Sequence, residues 1–309
     1  MVAALLADLF ETHRPHLLSV AYRLTGSVSD AEDAVQESWL RLSVARQSEI
    51  EDLRAWLTTV VGHICLDRLR SAAVRREKYV GQWLPEPVVT AVTPSSTLDP
   101  LAAVVRKQEF RFAALVVLDT LTPPQRVAFV LHDGFSMPFS EIADILDVSV
   151  DSARQLAARA RKAVAAGPAA VSDDEHNAAV QQLLKALSSG DVDAVVAVLH
   201  PEVRTVGDGG GQVSTAINVV AGVDRNVKLW TGLFRRFGLF DLDRIGPDRE
   251  LEPVLVNGQF GILAHERAPH DGIPGSPPRV YAFTVRDGKV WGVYDVVNPA
   301  KLGGVRVPH

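Results

Sequence analysis

An α-helix cannot run through the stretch between Gly81 and Pro100. There Pro85, Pro87, Pro94 and Pro100 each lack a backbone N–H and hold φ near about −65°. That break, with Ser95, Ser96 and the threonines around it, reads as a linker at 81–100 and divides the chain before any residue-level detail is considered. On its amino-terminal side, 1–80 carries apolar residues at three-and-four spacing, the mark of amphipathic helices in a small bundle. Leu17, Leu18, Ala21, Tyr22 and Leu24 form one stripe, which ends at Gly26. Ser29 ahead of Glu32 reads as a capping box opening a second helix, with Ala34, Val35, Ser38, Trp39 and Leu42 on its buried face. A third helix runs from about Asp52 through Trp56, Leu57, Val60, Val61, Ile64, Leu66 and Leu69. Beyond the linker, 101–167 is helical again, broken at Thr122-Pro123-Pro124 and Asp133-Gly134 and closed by Gly167 and Pro168.

From 168 to 309 the pattern changes. Helical stretches at 174–187 and 191–199 precede Asp208-Gly209-Gly210-Gly211, and a further helix is expected near 226–237. Strand-like runs then flank Asn257-Gly258 and Asp287-Gly288, the dipeptides that favour tight hairpin turns. Helices first and antiparallel hairpins afterwards define an α+β domain. The chain is thus expected to be multidomain, with two all-α units followed by an α+β one.

Composition narrows the function. Of 309 residues, 47% are hydrophobic and 22% charged, the ordinary globular range. No apolar run is long enough for a membrane span, and Met1 to Phe10 has no basic leader, so a cytoplasmic protein with no membrane partner is expected. Cys65 is the single cysteine, which excludes an internal disulfide and a thiolate-rich zinc site; no metal or cofactor is expected. The net charge of −5 is the wrong sign for holding DNA by bulk electrostatics, so any nucleic-acid contact must rest on local patches.

One such patch lies at 139–162. Ile142, Ala143, Ile145 and Leu146 can pack on Val148, Val150, Ala153, Leu156 and Ala160, with small residues where two helices cross, and Ser149 suits an N-cap. This is a helix-turn-helix pattern. Its second helix offers Ser152, Arg154, Gln155 and Arg159 to base edges or phosphates, and with Arg161 and Lys162 it carries +4 and no acid from 152 to 162. The bland alternative is a solvated basic face, but the turn, the small-residue crossing and the charge coincide.

Three stretches carry a family resemblance. Asp30-Ala31-Glu32-Asp33-Ala34-Val35-Gln36-Glu37-Ser38-Trp39-Leu40-Arg41-Leu42 resembles the segment by which sigma factors of the extracytoplasmic-function group engage the clamp helices of bacterial RNA polymerase. Leu53-Arg54-Ala55-Trp56-Leu57 through Leu66-Asp67-Arg68-Leu69-Arg70 resembles their segment that melts and reads the minus-ten promoter element. Leu121-Thr122-Pro123-Pro124-Gln125-Arg126 and the helix-turn-helix resemble the domain that reads the minus-thirty-five element. The resemblance implies polymerase contacts at Asp30, Glu32, Asp33, Gln36, Glu37, Trp39 and Leu40, with the beta-prime clamp helices and beta flap as partners. It implies promoter contacts at Arg68, Arg70, Arg75 and Arg76, which with Lys78 against Glu77 give +4 in eleven residues. Trp56 could stack on an extruded base, although its place on the apolar stripe, like that of Trp39, favours the core. His63 stands where many relatives have an amide or an arginine.

The last domain resembles the SnoaL-like, or NTF2-like, cone fold. Trp83-Leu84-Pro85-Glu86-Pro87, Asp208-Gly209-Gly210-Gly211 and Val297-Asn298-Pro299-Ala300-Lys301-Leu302 tie it to the branch of the sigma group that bears such a domain, although Gln212 stands where relatives often carry a basic residue. The implied role is regulation, with these stretches as interdomain contacts, the glycines at 209–211 a docking surface for the Trp83–Pro87 linker or for the amino-terminal bundle, and the cone expected to touch the linker and the two sigma domains. A small-molecule ligand in the cone is left open. Asp208, His265, Glu266, Tyr294 and Asp295 are the candidate bases for a cone enzyme, but His265-Glu266 and Tyr294-Asp295 are neighbours on expected strands and point to opposite faces, so no catalytic set is assigned. The competing functions are a polymerase-independent, ligand-sensing helix-turn-helix regulator, which has no need for the segment 30–42, and a DNA-tethered SnoaL-like enzyme, which loss of turnover on changing Asp208 or Asp295 would support.

Overall fold

The computed structural model describes residues 2–76, 79–92, 111–237, 250–269 and 275–305. Pro94, Pro100 and positions 101–110 lie outside the described residues, as do the side chains of Arg75 and Arg76. Two compact units result: one holds 2–76 and 114–167, and the other holds 79–92, 111–113 and the chain from 168 onward.

The first unit begins with α1 (Val2–Thr25), α2 (Val28–Val44) and α3 (Leu53–Arg76). Ser27 is the N-cap of α2, its hydroxyl accepting from the Asp30 amide at 3.2 Å. This corrects the expectation that Ser29 opens the helix: α2 starts at Val28, so Ser29 already lies in its first turn. Leu17, Tyr22, Leu24, Ala34, Leu42, Leu57 and Val61 are fully buried between the three helices, whereas Trp39 and Trp56 are only half-buried, contrary to the core placement expected for both. Each lies at the edge of its helix stripe, where a large ring still meets solvent.

After α4 (Phe112–Leu118), α5 (Pro123–Phe129) opens in a capping box in which the Thr122 amide donates to Gln125 Oε1 at 3.1 Å. A π-helical turn, Val130–Gly134, leads to α6 (Phe139–Leu146) and α7 (Val150–Ala165). Asp147, at φ 54°, ends α6 in the left-handed region, and the Ser149 hydroxyl caps α7 by accepting from the Ser152 amide at 3.2 Å. Ala143, Ala153, Ala157 and Ala160 are buried where these helices cross, while Val148, placed in this core by its spacing, is exposed in the turn.

Within this unit the bundle and the helix-turn-helix pack on each other. A Cβ added at Gly62 of α3 would lie 3.1 Å from Ile145 Cδ1 and 3.4 Å from Leu131 Cδ1, so only glycine admits this approach without displacement. Arg126 is 1% exposed; its Nη1 donates to Asp119 at 2.6 Å, and its Nε and Nη2 donate to the Arg23 carbonyl in the last turn of α1. The guanidinium thereby satisfies a carbonyl that the helix end leaves open. His16 lies beside the same seam: its Nδ1 accepts from Arg54, its Nε2 therefore carries the hydrogen and donates to Thr58 Oγ1 at 3.0 Å, and the Phe135 ring meets it edge-on at 5.3 Å.

Among the described residues the second unit holds a seven-stranded sheet in the order β1-β4-β5-β6-β7-β2-β3. Its strands are β1 (Val89–Ala91), β2 (Leu199–Asp208), β3 (Val220–Ala221), β4 (Leu251–Val256), β5 (Gln259–Ala264), β6 (Arg279–Arg286) and β7 (Lys289–Val296). All neighbours are antiparallel except β2 and β7. The helices α8 (Asp173–Ser189), α9 (Val192–Val198) and α10 (Val223–Phe237) contribute Leu183, Leu187, Val195 and Trp230 to its core, and the short α11 (Pro299–Leu302) follows β7. Asn257 and Asp287 take the left-handed conformation that tight hairpins require. Three expectations are corrected. Residues 199–208 form β2, which the histidine, proline and charges at its start concealed. Leu199 opens that strand rather than closing a helix. His265 and Glu266 lie just past the end of β5 rather than on it.

Two outcomes are expected. Arg126→Ala removes the cation from Asp119 and two donors from the Arg23 carbonyl, costing about 3 to 5 kcal/mol; urea unfolding of the first unit reads this as a fall in midpoint at constant slope. The second concerns pH: burial first, then Arg54 and His13, lower the His16 pKa from 6.5 to about 4. The unfolded chain therefore binds this proton at higher pH than the folded one, and stability is lost as pH falls from about 6.5 towards 4. His16→Gln should flatten that part of the midpoint-against-pH curve.

Candidate functional site

Three surfaces gather the residues singled out from the sequence. On α2, Glu32, Asp33 and Gln36 are exposed and Trp39 packs against Phe10 of α1 with ring centroids 5.1 Å apart. Between these helices lies a groove of about 510 Å³ that also takes in Glu11, Arg14 and Val35. The contribution of α1 was not legible in the chain pattern, because residues 7–14 carry no distinguishing motif. Leu40 is 60% and Val44 84% exposed, apolar side chains without cover beside an acidic face.

Arg68 of α3 turns to that face. Its Nη1 lies 3.0 Å from Asp30 and 3.4 Å from Asp33, and its Nη2 is 4.0 Å from Glu37. It is thus a tie between α3 and α2 rather than an outward cation, whereas Arg70 is exposed and pairs only loosely with Asp67 at 3.6 Å. His63 accepts or donates locally, with Nδ1 3.0 Å from the Thr59 carbonyl. Cys65 is fully buried, which pushes its thiol up to about 12.

On α7, Arg154, Gln155, Arg159, Arg161 and Lys162 all face solvent along one side. Arg154 leans on Asp151 at 2.9 Å and over the Phe139 ring, and Arg161 Nε donates to Asp133 at 2.6 Å. Ser152 is half-buried and shares a hydrogen bond with Ser149.

The third surface is in the second unit, where the three short stretches at 83–87, 208–211 and 298–302 come together. Asp208 is fully buried at the end of β2. Its Oδ1 accepts from the Tyr79 hydroxyl at 2.5 Å and the Gly210 amide at 3.1 Å, and its Oδ2 accepts from the Leu84 amide at 2.8 Å and Lys301 Nζ at 2.6 Å. Lys301 also donates to the Leu84 carbonyl and sits 3.8 Å from the centre of the Trp83 ring, a cation–π contact. Asn298 caps α11 through the Ala300 amide and donates to the Tyr79 hydroxyl at 2.7 Å. The glycines are dictated by this crowding: a Cβ at Gly210 would lie 2.6 Å from the Asn298 amide group, and one at Gly209 would strike the Val213 carbonyl. Leu84, Pro85, Glu86, Pro87 and Val88 are buried, and β1 then adds to the sheet edge, pairing Val89 with Val256. Val88 and Asn257 exchange hydrogen bonds on either side of that junction.

Of the bases considered for a cone enzyme, His265 pairs with Glu252 at 2.8 Å, while Tyr294 and Asp295 are buried in β7. Spacing along the chain concealed that Arg279, Tyr281 and Thr215 converge on Asp295 from other elements. Among the described residues no group of histidine, cysteine and carboxylate side chains could hold a metal ion, and no helix is long and apolar enough to cross a membrane.

Comparison with known proteins identifies the family. Residues 9–75 match the Sigma-70 region 2 family and residues 111–164 match Sigma-70 region 4. The chain is 51% identical over 300 residues to the ECF RNA polymerase sigma factor SigJ of Mycobacterium tuberculosis, covering 96% of this chain and 92% of that protein. It is 31% identical to a probable ECF RNA polymerase sigma factor, SigI, of the same species, over 96% and 94% of the two chains. The crystal structure of M. tuberculosis SigJ superposes with a TM-score of 0.81 at 47% identity, covering 98% of this chain and all of that one. The chain belongs to the ECF RNA polymerase sigma factors. It binds RNA polymerase, recognises promoters and initiates transcription, and the polymerase-independent regulator is not favoured.

The knot around Asp208 yields an expected outcome. Lys301→Ala strands a buried carboxylate and should cost the second unit about 3 to 5 kcal/mol in denaturant unfolding. Asp208→Asn combined with Lys301→Met should cost less than Lys301→Ala alone, because no net charge is left buried. Equal losses would mean that the ion pair is not what holds the linker.

Proposed function

We propose that the last domain regulates initiation by holding or releasing the linker that joins the two sigma domains. The observation that carries this reading is the linker's attachment: Leu84 by both backbone groups, Tyr79 by its hydroxyl and Val89 to Ala91 by strand pairing, all on the second unit. In the first unit the bundle and the helix-turn-helix are packed face to face. Elements centred near minus ten and minus thirty-five lie about 25 base pairs apart, or roughly 85 Å at ~3.4 Å per pair. A compact body of some 130 residues has a radius of gyration of only about 14 Å. The packed unit is therefore too small to occupy both elements, and initiation requires the two parts to separate. Chain pinned to the cone is chain withheld from that separation, so docking the linker shifts the population towards the compact form.

On this reading the groove between α1 and α2, with Asp33, Gln36, Trp39 and Leu40, receives the beta-prime clamp helices. The exposed acids and the uncovered apolar residues supply the charge and the area of a protein interface. The exposed face of α7 enters the major groove through Arg154, Gln155 and Arg159, while Arg161 and Lys162 meet phosphate. Arg70 serves the promoter strand near minus ten, and Arg68 positions the acids of α2. The site of action is the cytoplasm.

The test is run-off transcription with core polymerase, comparing the full chain with one ending at residue 167. A changed promoter output or polymerase affinity is expected, and unchanged values for both would contradict the regulatory role. Arg159→Ala should weaken binding to the upstream element by about 1 to 3 kcal/mol if it reads a base. An equal loss on every sequence would assign it to phosphate instead.

A further inference from the structure

We propose that Arg154 reads a guanine of the upstream promoter element, and that Phe139, His132 and Asp151 are the residues that hold it in position; the assignment rests on the reading of α7 as the major-groove helix given above. A guanine offers N7 and O6 side by side on its major-groove edge, and a planar guanidinium meets both at once only within a narrow range of orientations. A phosphate asks for charge rather than direction, so an arginine that turns freely serves it as well. What separates the two uses is whether the side chain is already held before DNA arrives.

The cations of α7 divide on that point. Arg154 Nη1 donates to Asp151 Oδ1 at 2.9 Å, and its Cζ lies 5.9 Å from the centre of the half-buried Phe139 ring, within cation–π range. Arg159 and Lys162 have no such partner among the described residues. Arg161 is held by Asp133, but it lies about two turns further along, away from the helix N-terminus whose residues reach base edges. Among the described residues Asp151 is the single hydrogen-bond partner of Arg154, so with Nη1 occupied, Nε and Nη2 remain for O6 and N7. Asp151 is 83% exposed, and an exposed carboxylate on a helix that meets phosphate weakens binding to every sequence alike. Its contribution is direction, at the expense of affinity.

Phe139 is itself held. Its ring stacks on His132 with centroids 3.9 Å apart and planes at 25°. His132 Nδ1 lies 3.0 Å from the Met137 carbonyl, and since a carbonyl only accepts, Nδ1 carries the hydrogen and donates. The backbone that allows this is the π-helical turn Val130–Gly134 followed by Ser136 at φ 56°, a left-handed conformation that costs a serine free energy. The Ser136 amide donates to the His132 carbonyl at 2.9 Å and the Met137 amide to the Leu131 carbonyl at 3.0 Å, which folds the turn back before Pro138 opens α6 at Phe139. A turn outside both helices of the helix-turn-helix thus fixes an imidazole, the imidazole fixes a ring, and the ring with Asp151 orients a guanidinium on the exposed face of α7.

The experiment offers holoenzyme, assembled from core polymerase and the full chain, a promoter library randomised across the upstream element; the bound DNA is sequenced, and affinity for an unrelated duplex is measured beside it. The unaltered chain should prefer guanine at one position by about tenfold, and Arg154→Ala should abolish that preference alone. Phe139→Leu keeps an apolar side chain and should lower the preference about threefold at that position, with the others unchanged. Phe139→Tyr should retain it, and Phe139→Leu should add nothing once Arg154 is alanine. Asp151→Ala is the second test, because a side chain so exposed can be removed without unfolding the domain. There the guanine preference should fall while affinity for the unrelated duplex rises, opposite changes that a loss of structure does not produce. A guanine preference untouched by Phe139→Leu and Asp151→Ala, an equal fall at every position, or no guanine preference in the unaltered chain would overturn the proposal. If Arg154→Ala and Arg159→Ala both leave the preference at every position unchanged, the reading of α7 as the major-groove helix fails as well.

Discussion

The second unit is organised around one buried carboxylate. Asp208 has no contact with solvent, and its two oxygens accept from a tyrosine hydroxyl, two backbone amides and an ammonium group, each from a different place in the chain. A charge removed from water must be repaid by such bonds or it destabilises the fold. The full complement is available only when Tyr79 and Leu84 are in place. The domain is therefore complete only with the linker docked, and that is how a sequence-distant segment becomes part of its fold. The loop glycines follow from the same constraint, since the backbone must bend within reach of the carboxylate while Asn298 and Val80 press against it.

The first unit answers a different demand. Its bundle and its helix-turn-helix each have a core, but Gly62, Arg126 and His16 join them, by close approach, by charge-assisted hydrogen bonds and by an aromatic edge. The surfaces this packing leaves outward are the acidic and apolar face of α2 and the basic face of α7. On the proposed reading the first of these faces polymerase and the second faces DNA. Closing the unit thus leaves each recognition face exposed and limits the distance between them.

Much of this was legible in the sequence where a local rule decides the outcome. The helix-turn-helix followed from apolar spacing, Ser149 and the alanine crossing. Both hairpins followed from Asn257-Gly258 and Asp287-Gly288, and the linker from its prolines. What escaped was set by distant partners. The strand at 199–208 begins with His200, Pro201 and Glu202, and its pairing with β7 is parallel, so no turn announces it. Ser29 satisfied the capping pattern as well as Ser27 did, and only the backbone at 27–28 distinguishes them. Arg68 read as one cation in a basic run because the acids that hold it lie on another helix. The convergence of Arg279, Tyr281 and Thr215 on Asp295 spans three separate segments, and spacing along any one of them carries no sign of it.

Linker release is the central claim, and amide hydrogen exchange at Leu84 and along Val89 to Ala91 tests it most directly. The full chain would be measured alone and then within an open promoter complex formed with core polymerase. The account predicts slow exchange in the free protein, where the Leu84 amide is held by Asp208 and the strand is paired, and a large loss of protection in the complex. Protection that is the same in both states would contradict it, and would mean that the sigma domains separate with the linker still fastened to the cone.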